Sequence, residues 1–383
     1  MTQLQSRRAT LLIMAIFAAQ PLAMGGWFAL IPVVQENLGL SKSELALALI
    51  GMPIALVPAL NIAARILPKF GPRRLLWTFF PLHALAFVTP ALASSGPQLF
   101  GALFLAGASM AFIEVSMNVY AGRAEKQMGV LIMNRCHGFW ALGIMTGSAF
   151  VAAMAGLSPV LLLIILGAAS TLAGVSAAIA LPRLGDSDTS ETLPRRSLAS
   201  LPPALLLIAV FMFLITLVEG TMADWAAIYM AERLNDPTAS AGIAVTVFSG
   251  FMAGGRFLGD WFKARMGGVA LARMTVTLAF VGLLMLVLPL PIWLVLPAFA
   301  LVGFGVATGF PLGVSALAAL DDRYEAPNIA IAATVAMGGF LIGPPMIGFV
   351  SEAFSIRWGF ATLLPGLVIA LWLTRWLRAA ESS

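Results

Sequence analysis

Twelve apolar stretches recur along the chain, each close to the roughly 20 residues that a helix needs to cross a membrane. This pattern leaves few folds open. At about 1.5 Å per residue, such a helix spans a hydrocarbon core of about 30 Å. Lipid offers the backbone no hydrogen-bond partners, so helices, which satisfy their own peptide groups, are the fitting element. Of the 383 residues, 10% are charged, against about 25% in a soluble domain. The chain is therefore expected to be an all-α, multi-pass protein of the lipid bilayer.

The spans are expected at 10–33, 45–67, 75–94, 97–121, 132–155 and 158–181, then at 203–231, 239–262, 268–289, 291–317, 326–350 and 357–379. Between the two sets, a polar segment carries Arg183, Asp186, Asp188, Glu191, Arg195 and Arg196 with Ser, Thr and Pro. It reads as a linker. The expected organisation is a six-helix bundle at 1–181, a cytoplasmic linker at 182–202 and a second six-helix bundle at 203–383. Arg7-Arg8 precede an apolar run without a small-residue cleavage site, which reads as a retained first span. With both termini cytoplasmic, 19 of the 22 Lys and Arg fall on the cytoplasmic side, leaving Lys42, Arg233 and Arg357 opposite. That asymmetry fits the positive-inside rule and the even helix count.

The two sets look like weak copies. Met24-Gly25-Gly26-Trp27 in the first helix matches Met222-Ala223-Asp224-Trp225 in the seventh, each followed by apolar residues. Short basic turns follow the second and eighth helices, at Lys69-Phe70-Gly71-Pro72-Arg73-Arg74 and at Lys263-Ala264-Arg265-Met266-Gly267. A repeat of six spans places a binding site between halves near the midplane, in a machine of alternating access. Other classes lack support. The basic residues sit in short loops, so no nucleic-acid partner is expected. One cysteine, Cys136, excludes an internal disulfide and a Cys-rich metal site. There is no phosphate-binding loop, HExxH or nucleophile elbow, so neither an enzyme nor a bound cofactor or metal is expected.

Carboxylates inside apolar runs point to function, because each costs roughly 2.5 to 3.5 kcal/mol at the helix centre on insertion scales. Glu114 lies nine residues before Arg123, about 14 Å along a helix and thus near the midplane. Asn118, one turn on, shares its face. The pair can hold a hydroxylated solute while the carboxylate takes up and releases a proton. Glu219 and Asp224 occupy one run from Pro203 to Met230. At about 100° per residue they stand about 140° apart, so one faces the ligand path and the other a neighbouring helix. Glu219 is the deeper and is assigned the proton role, with Asp224 beside the substrate. His137 can titrate near neutrality and relay protons to Glu114. Trp27 and Trp225 can stack on a sugar or polyol ring. His83, in the third helix, reads as a core or interface residue.

Twelve spans in two halves, with basic turns after helices 2 and 8 and Gly-Arg-x-x-Gly-Asp in the second, resemble the major facilitator superfamily. Gly255, Arg256, Gly259, Asp260, Arg265 and Gly267 match its conformational motif, whereas in the first copy the family's Asp falls at Pro68. Glu114-Val115-Ser116-Met117-Asn118 is similar to the Glu-x-x-x-Asn of fucose permease-type sugar:proton symporters. Trp27, Leu38-Gly39-Leu40-Ser41, Glu219-Gly220 and Gly338-Gly339 through Pro344-Pro345 look like a MosC-like bacterial subgroup. The resemblance implies a monomeric secondary transporter of the bacterial inner membrane, moving a sugar, polyol or inositol derivative with a proton. A proton antiporter exporting a hydrophobic compound is the alternative, and a non-transporting membrane sensor a further one.

Overall fold

The computed structural model describes residues 3–129, 131–184, 201–236, 238–320 and 324–381. Twelve helices long and apolar enough to cross a membrane run through them. They are α1 (Ser6–Leu38), α2 (Lys42–Phe70), α3 (Pro72–Leu92), α4 (Gly96–Met128), α5 (Met133–Ala153) and α6 (Pro159–Ala180). The second set is α7 (Pro203–Leu234), α8 (Ser240–Met266), α9 (Gly268–Val287), α10 (Ile292–Ala318), α11 (Pro327–Ala353) and α12 (Ile356–Arg378). There is no strand among the described residues. The expected helix count and order therefore hold, with most helices running a few residues past their expected ends. The linker assigned to 182–202 lies largely outside the described residues.

Local chemistry sets the punctuation. Leu38-Gly39-Leu40-Ser41 ends one helix and starts the next. Gly39 adopts the left-handed conformation (φ 60°), which glycine enters without steric cost. Ser41 then closes a capping box with Glu44, whose backbone N–H donates to the Ser41 hydroxyl while the Ser41 N–H donates to the carboxylate at 2.9 Å. Ser95 and Ser158 cap α4 and α6 in the simpler way.

Two compact units emerge, one of Met1–Ser187 with Asp224–Ala253 and one of Asp188–Ala223 with Gly254–Ser383. In the first, α2 lies along α4, and α3 contacts both α4 and α6. In the second, α9 contacts α10 and α12, repeating the α3 pattern. The α1–α5 seam is drawn close by glycine. A side chain at Gly143 would collide with the Ala18 carbonyl and Pro21, and one at Gly147 with the Leu22 carbonyl. Glycine at both positions is what lets these backbones touch. Pro21, where α1 breaks between Ala19 and Leu22, sits against that seam.

The segment 224–253 joins the first unit through small and polar contacts. A side chain at Gly242 would meet Ala29, one at Gly250 would meet Met145, and the hydroxyls of Ser148 and Thr246 lie 2.9 Å apart. At the end of α1 and α7, the Lys42 ammonium sits 2.7 Å from Glu232. Beside that ion pair is an open cavity of about 510 Å³, with Gln35, Glu36, Asn235 and Asp236 in its walls.

Candidate functional site

Helix α4 carries the expected pair in hydrogen-bonded form. The Asn118 side-chain nitrogen donates to the Glu114 carboxylate (Oε2) at 3.0 Å and to the Glu114 backbone carbonyl at 2.9 Å. Both side chains are half-buried. The space beside them extends along the helix, because a side chain added at Gly122, one turn further, would meet no atom within 4 Å. Glu114 Oε1 and Asn118 Oδ1 have no hydrogen-bond partner among the described residues. A half-buried carboxylate with one oxygen fixed and one free can exchange a proton and hydrogen-bond a ligand.

In α7 the two acids have different surroundings. Arg256 of α8 donates from its Nη2 to Glu219 Oε1 at 2.9 Å, and the two side chains are only 9% and 10% exposed. The deeper acid, assigned the proton role from its depth, is thus neutralised by a cation from the neighbouring helix. Sequence separation hides this: in its own segment Arg256 belongs to a turn motif, and the partners stand 37 positions apart. Asp224 is half-buried and has no hydrogen-bond or ion-pair partner among the described residues. Gly220 leaves room for a neighbour, and the Phe340 ring fills it.

The two tryptophans are enclosed by protein. Trp27 and Trp225 are both 0% exposed, so neither ring face is open to a ligand in this structure. Their indole nitrogens also lack a hydrogen-bond acceptor. The matching positions in the repeat put both rings into the interior of the first unit. His137 is half-buried and meets the edge of Phe17, with ring centroids 5.3 Å apart.

A polar chain that no local sequence pattern marks crosses four helices of the first unit. The Trp140 indole N–H donates to Gln20 Oε1 at 2.7 Å, which turns the Gln20 amide nitrogen toward His83 Nε2 at 3.5 Å. The Ser109 hydroxyl lies 2.8 Å from the Ala106 carbonyl and 3.2 Å from His83 Nδ1, and His83 Nε2 also lies 3.3 Å from the Gln20 backbone carbonyl. His83, Gln20 and Ser109 are buried. The arrangement ties α1, α3, α4 and α5 together beside the α1 break. The only sequence signal is the presence of His and Gln in apolar runs, which names no partners.

The basic turns separate into two behaviours. Arg73, after α2, donates to the carbonyls of Ala178 and Ile179 (2.7 Å to the latter) at the end of α6, a favourable place for a cation. After α8, Arg265 lies over the Trp261 ring at 3.8 Å. Within α8, Gly255 faces Ala307 and Gly259 faces Thr308. Gly267 makes the turn into α9 with φ 81°. Asp260 is exposed on the last turns of α8. No group of three or more His, Cys, Asp or Glu able to hold a metal occurs among the described residues.

Comparison with known proteins agrees with this architecture. The chain is 27% identical over 363 residues to uncharacterized transporter y4wD of Sinorhizobium fredii, covering 94% of this chain and 95% of that one. It is 26% identical over 348 residues to membrane protein MosC of Rhizobium meliloti, covering 89% and 83%, so the likeness to MosC-like proteins holds. A crystal structure of a mutant of the nucleoside transporter NupG superposes with a TM-score of 0.77 at 13% identity, over 96% of this chain and 99% of that one. FucP in an outward conformation gives 0.64 at 17% identity, over 96% and 98%. At these identities the structures establish the fold alone. The model of the Major Facilitator Superfamily matches residues 11–327, and the chain belongs to that superfamily of multi-pass membrane transporters.

Proposed function

We propose that this chain is a secondary active transporter that moves a small neutral hydroxylated solute, such as a sugar, polyol or inositol derivative, together with a proton. The observation that carries the reading is the Glu114–Asn118 pair, a half-buried carboxylate with one free oxygen beside an amide acceptor. Such a group in a membrane helix is expensive to keep and marks an ion or substrate path. The unpartnered Asp224 is a second polar contact for the solute or proton. Glu219, neutralised by Arg256, acts through that pair and not as a free proton carrier. The glycine-lined α1–α5 seam permits the helix rearrangements of alternating access. A nucleoside transporter is among the fold neighbours, and nucleosides, like the solutes proposed here, carry a hydroxylated ring. The proposed setting is a bacterial inner membrane with both termini cytoplasmic, from the distribution of Lys and Arg.

The test is flux into proteoliposomes holding the purified protein, with labelled sugars, polyols and nucleosides outside. Accumulation driven by an imposed inward proton gradient, and abolished by a protonophore, is the expected result. Efflux driven by the same gradient would replace symport by the exporting antiporter. No flux of any solute would leave the chain a sensor.

A further inference from the structure

The direction of the hydrogen bonds at Glu114 and Asn118 defines which ligand chemistry fits between them. The Asn118 nitrogen has two hydrogens. One goes to the Glu114 carbonyl at 2.9 Å, the other to Glu114 Oε2 at 3.0 Å. Both targets are acceptors, so the amide cannot be turned over without placing oxygen against oxygen twice. What remains for a ligand is Asn118 Oδ1, fixed as an acceptor, and Glu114 Oε1, neither of which has a partner among the described residues. Because Asn118 holds Oε2 as an acceptor, the proton of the neutral acid resides on Oε1. That oxygen is therefore an acceptor when Glu114 is ionised and a donor when it is protonated.

We propose that Glu114 and Asn118 form a hydroxyl-selective subsite that grips adjacent hydroxyl groups of a neutral ligand in both protonation states, admits an ammonium group in the ionised state and excludes carboxylates and phosphates from that same state. A hydroxyl both donates and accepts, so it matches Oε1 in either state while its neighbour donates to Oδ1. An ammonium only donates. It fits the ionised pair and has no acceptor at Oε1 once the proton is on. A carboxylate or phosphate monoester offers only acceptors: it meets a negative charge and the Oδ1 acceptor when Glu114 is ionised, and finds a donor, Oε1–H, only when Glu114 is protonated. A group that stays bound across the change of protonation is what carries solute and proton through one cycle together. This inference rests on the proton role given to Glu114 above, and it deepens that reading by naming the polar groups the cargo must have.

The experiment is equilibrium binding by calorimetry on purified full-length protein between about pH 4 and about pH 9, a range that contains the titration of ordinary and buried carboxylates alike. The probes are glucose, ribose, fucose, xylitol and myo-inositol. Any that binds is then compared with its amino-deoxy counterpart and with its phosphate ester or uronic acid. Expected is polyol affinity that changes less than about tenfold across the range, since one hydrogen bond is exchanged for another of similar worth. The amine should weaken by about tenfold or more at the acid end, and the anion should bind about tenfold or more weaker than its parent at the alkaline end. Glu114→Gln, which fixes a donor outward at Oε1's place, should keep polyol binding and lose the amine at every pH. Asn118→Leu should weaken polyols, and Glu114→Gln should relieve the discrimination against anions; melting curves show whether each variant is folded. An anion that binds as tightly as its parent polyol at the alkaline end, or an amine indifferent to Glu114→Gln, overturns the subsite while leaving proton-coupled transport intact. Absence of binding by every polyol to the wild type overturns both.

Discussion

Arg256 reaches from α8 to donate to Glu219 of α7 at 2.9 Å, inside the apolar part of the chain. Neither charge is much exposed, so the carboxylate depends on the guanidinium for compensation. Removing one partner of a buried pair leaves an uncompensated charge and costs about 3–5 kcal/mol, whereas replacing both by apolar groups is often neutral. Arg256→Met should therefore lower the melting temperature of the solubilised protein sharply, and Arg256→Met with Glu219→Leu should restore most of the loss. Additive losses from the two single changes would show that the pair contributes nothing as a pair.

Asp224 presents the opposite case. It has no partner among the described residues, so its charge is a cost to the fold. Asp224→Asn should leave the melting temperature unchanged or higher while reducing transport. A loss of stability comparable to that of Glu219→Gln would mean that Asp224 has a structural partner.

The contrast between these acids shows how far sequence carries. Depth along a helix follows from counting residues, and it puts both Glu219 and Asp224 inside the membrane. Which of them is neutralised depends on which helix comes alongside, and Arg256, 37 residues away, carries no mark of that in its own segment. Glu114 and Asn118 are legible because they share one helix, where a separation of four residues fixes the face. The fold is legible for a similar reason: twelve runs of sufficient length and a charge asymmetry are local signals. Trp27 and Trp225 correspond in the repeat, but correspondence says nothing about which way a ring faces. The Trp140–Gln20–His83–Ser109 chain needs four helices to meet, and no local pattern encodes that meeting.

The full burial of Trp27 and Trp225 gives them a packing role in this structure. Trp27→Phe and Trp225→Phe keep an aromatic ring and remove an indole N–H that has no acceptor. Each should leave ligand affinity within about twofold and cost stability by no more than the few kcal/mol of a large-to-small core change. A tenfold or larger loss of affinity without loss of stability would return these rings to the ligand path.

Ser148 of α5 and Thr246 of α8 touch through their hydroxyls at 2.9 Å, which makes the two positions a natural place for a paired-cysteine crosslink. In alternating access this contact between helices of the two sequence halves must open in each cycle. With Cys136 replaced by Ser, Ser148→Cys with Thr246→Cys should crosslink on oxidation, stop transport and recover it on reduction. Transport that continues at full rate with the crosslink formed would show that this seam does not open.

Whether Glu114 carries the coupling proton is decided by one comparison. Wild-type and Glu114→Gln proteins are reconstituted at equal density and assayed for solute accumulation under an inward proton gradient, and for exchange of labelled against unlabelled solute without a gradient. Glu114→Gln should lose gradient-driven accumulation and retain exchange with little dependence on pH. Accumulation by Glu114→Gln at the wild-type level would take the proton away from this residue.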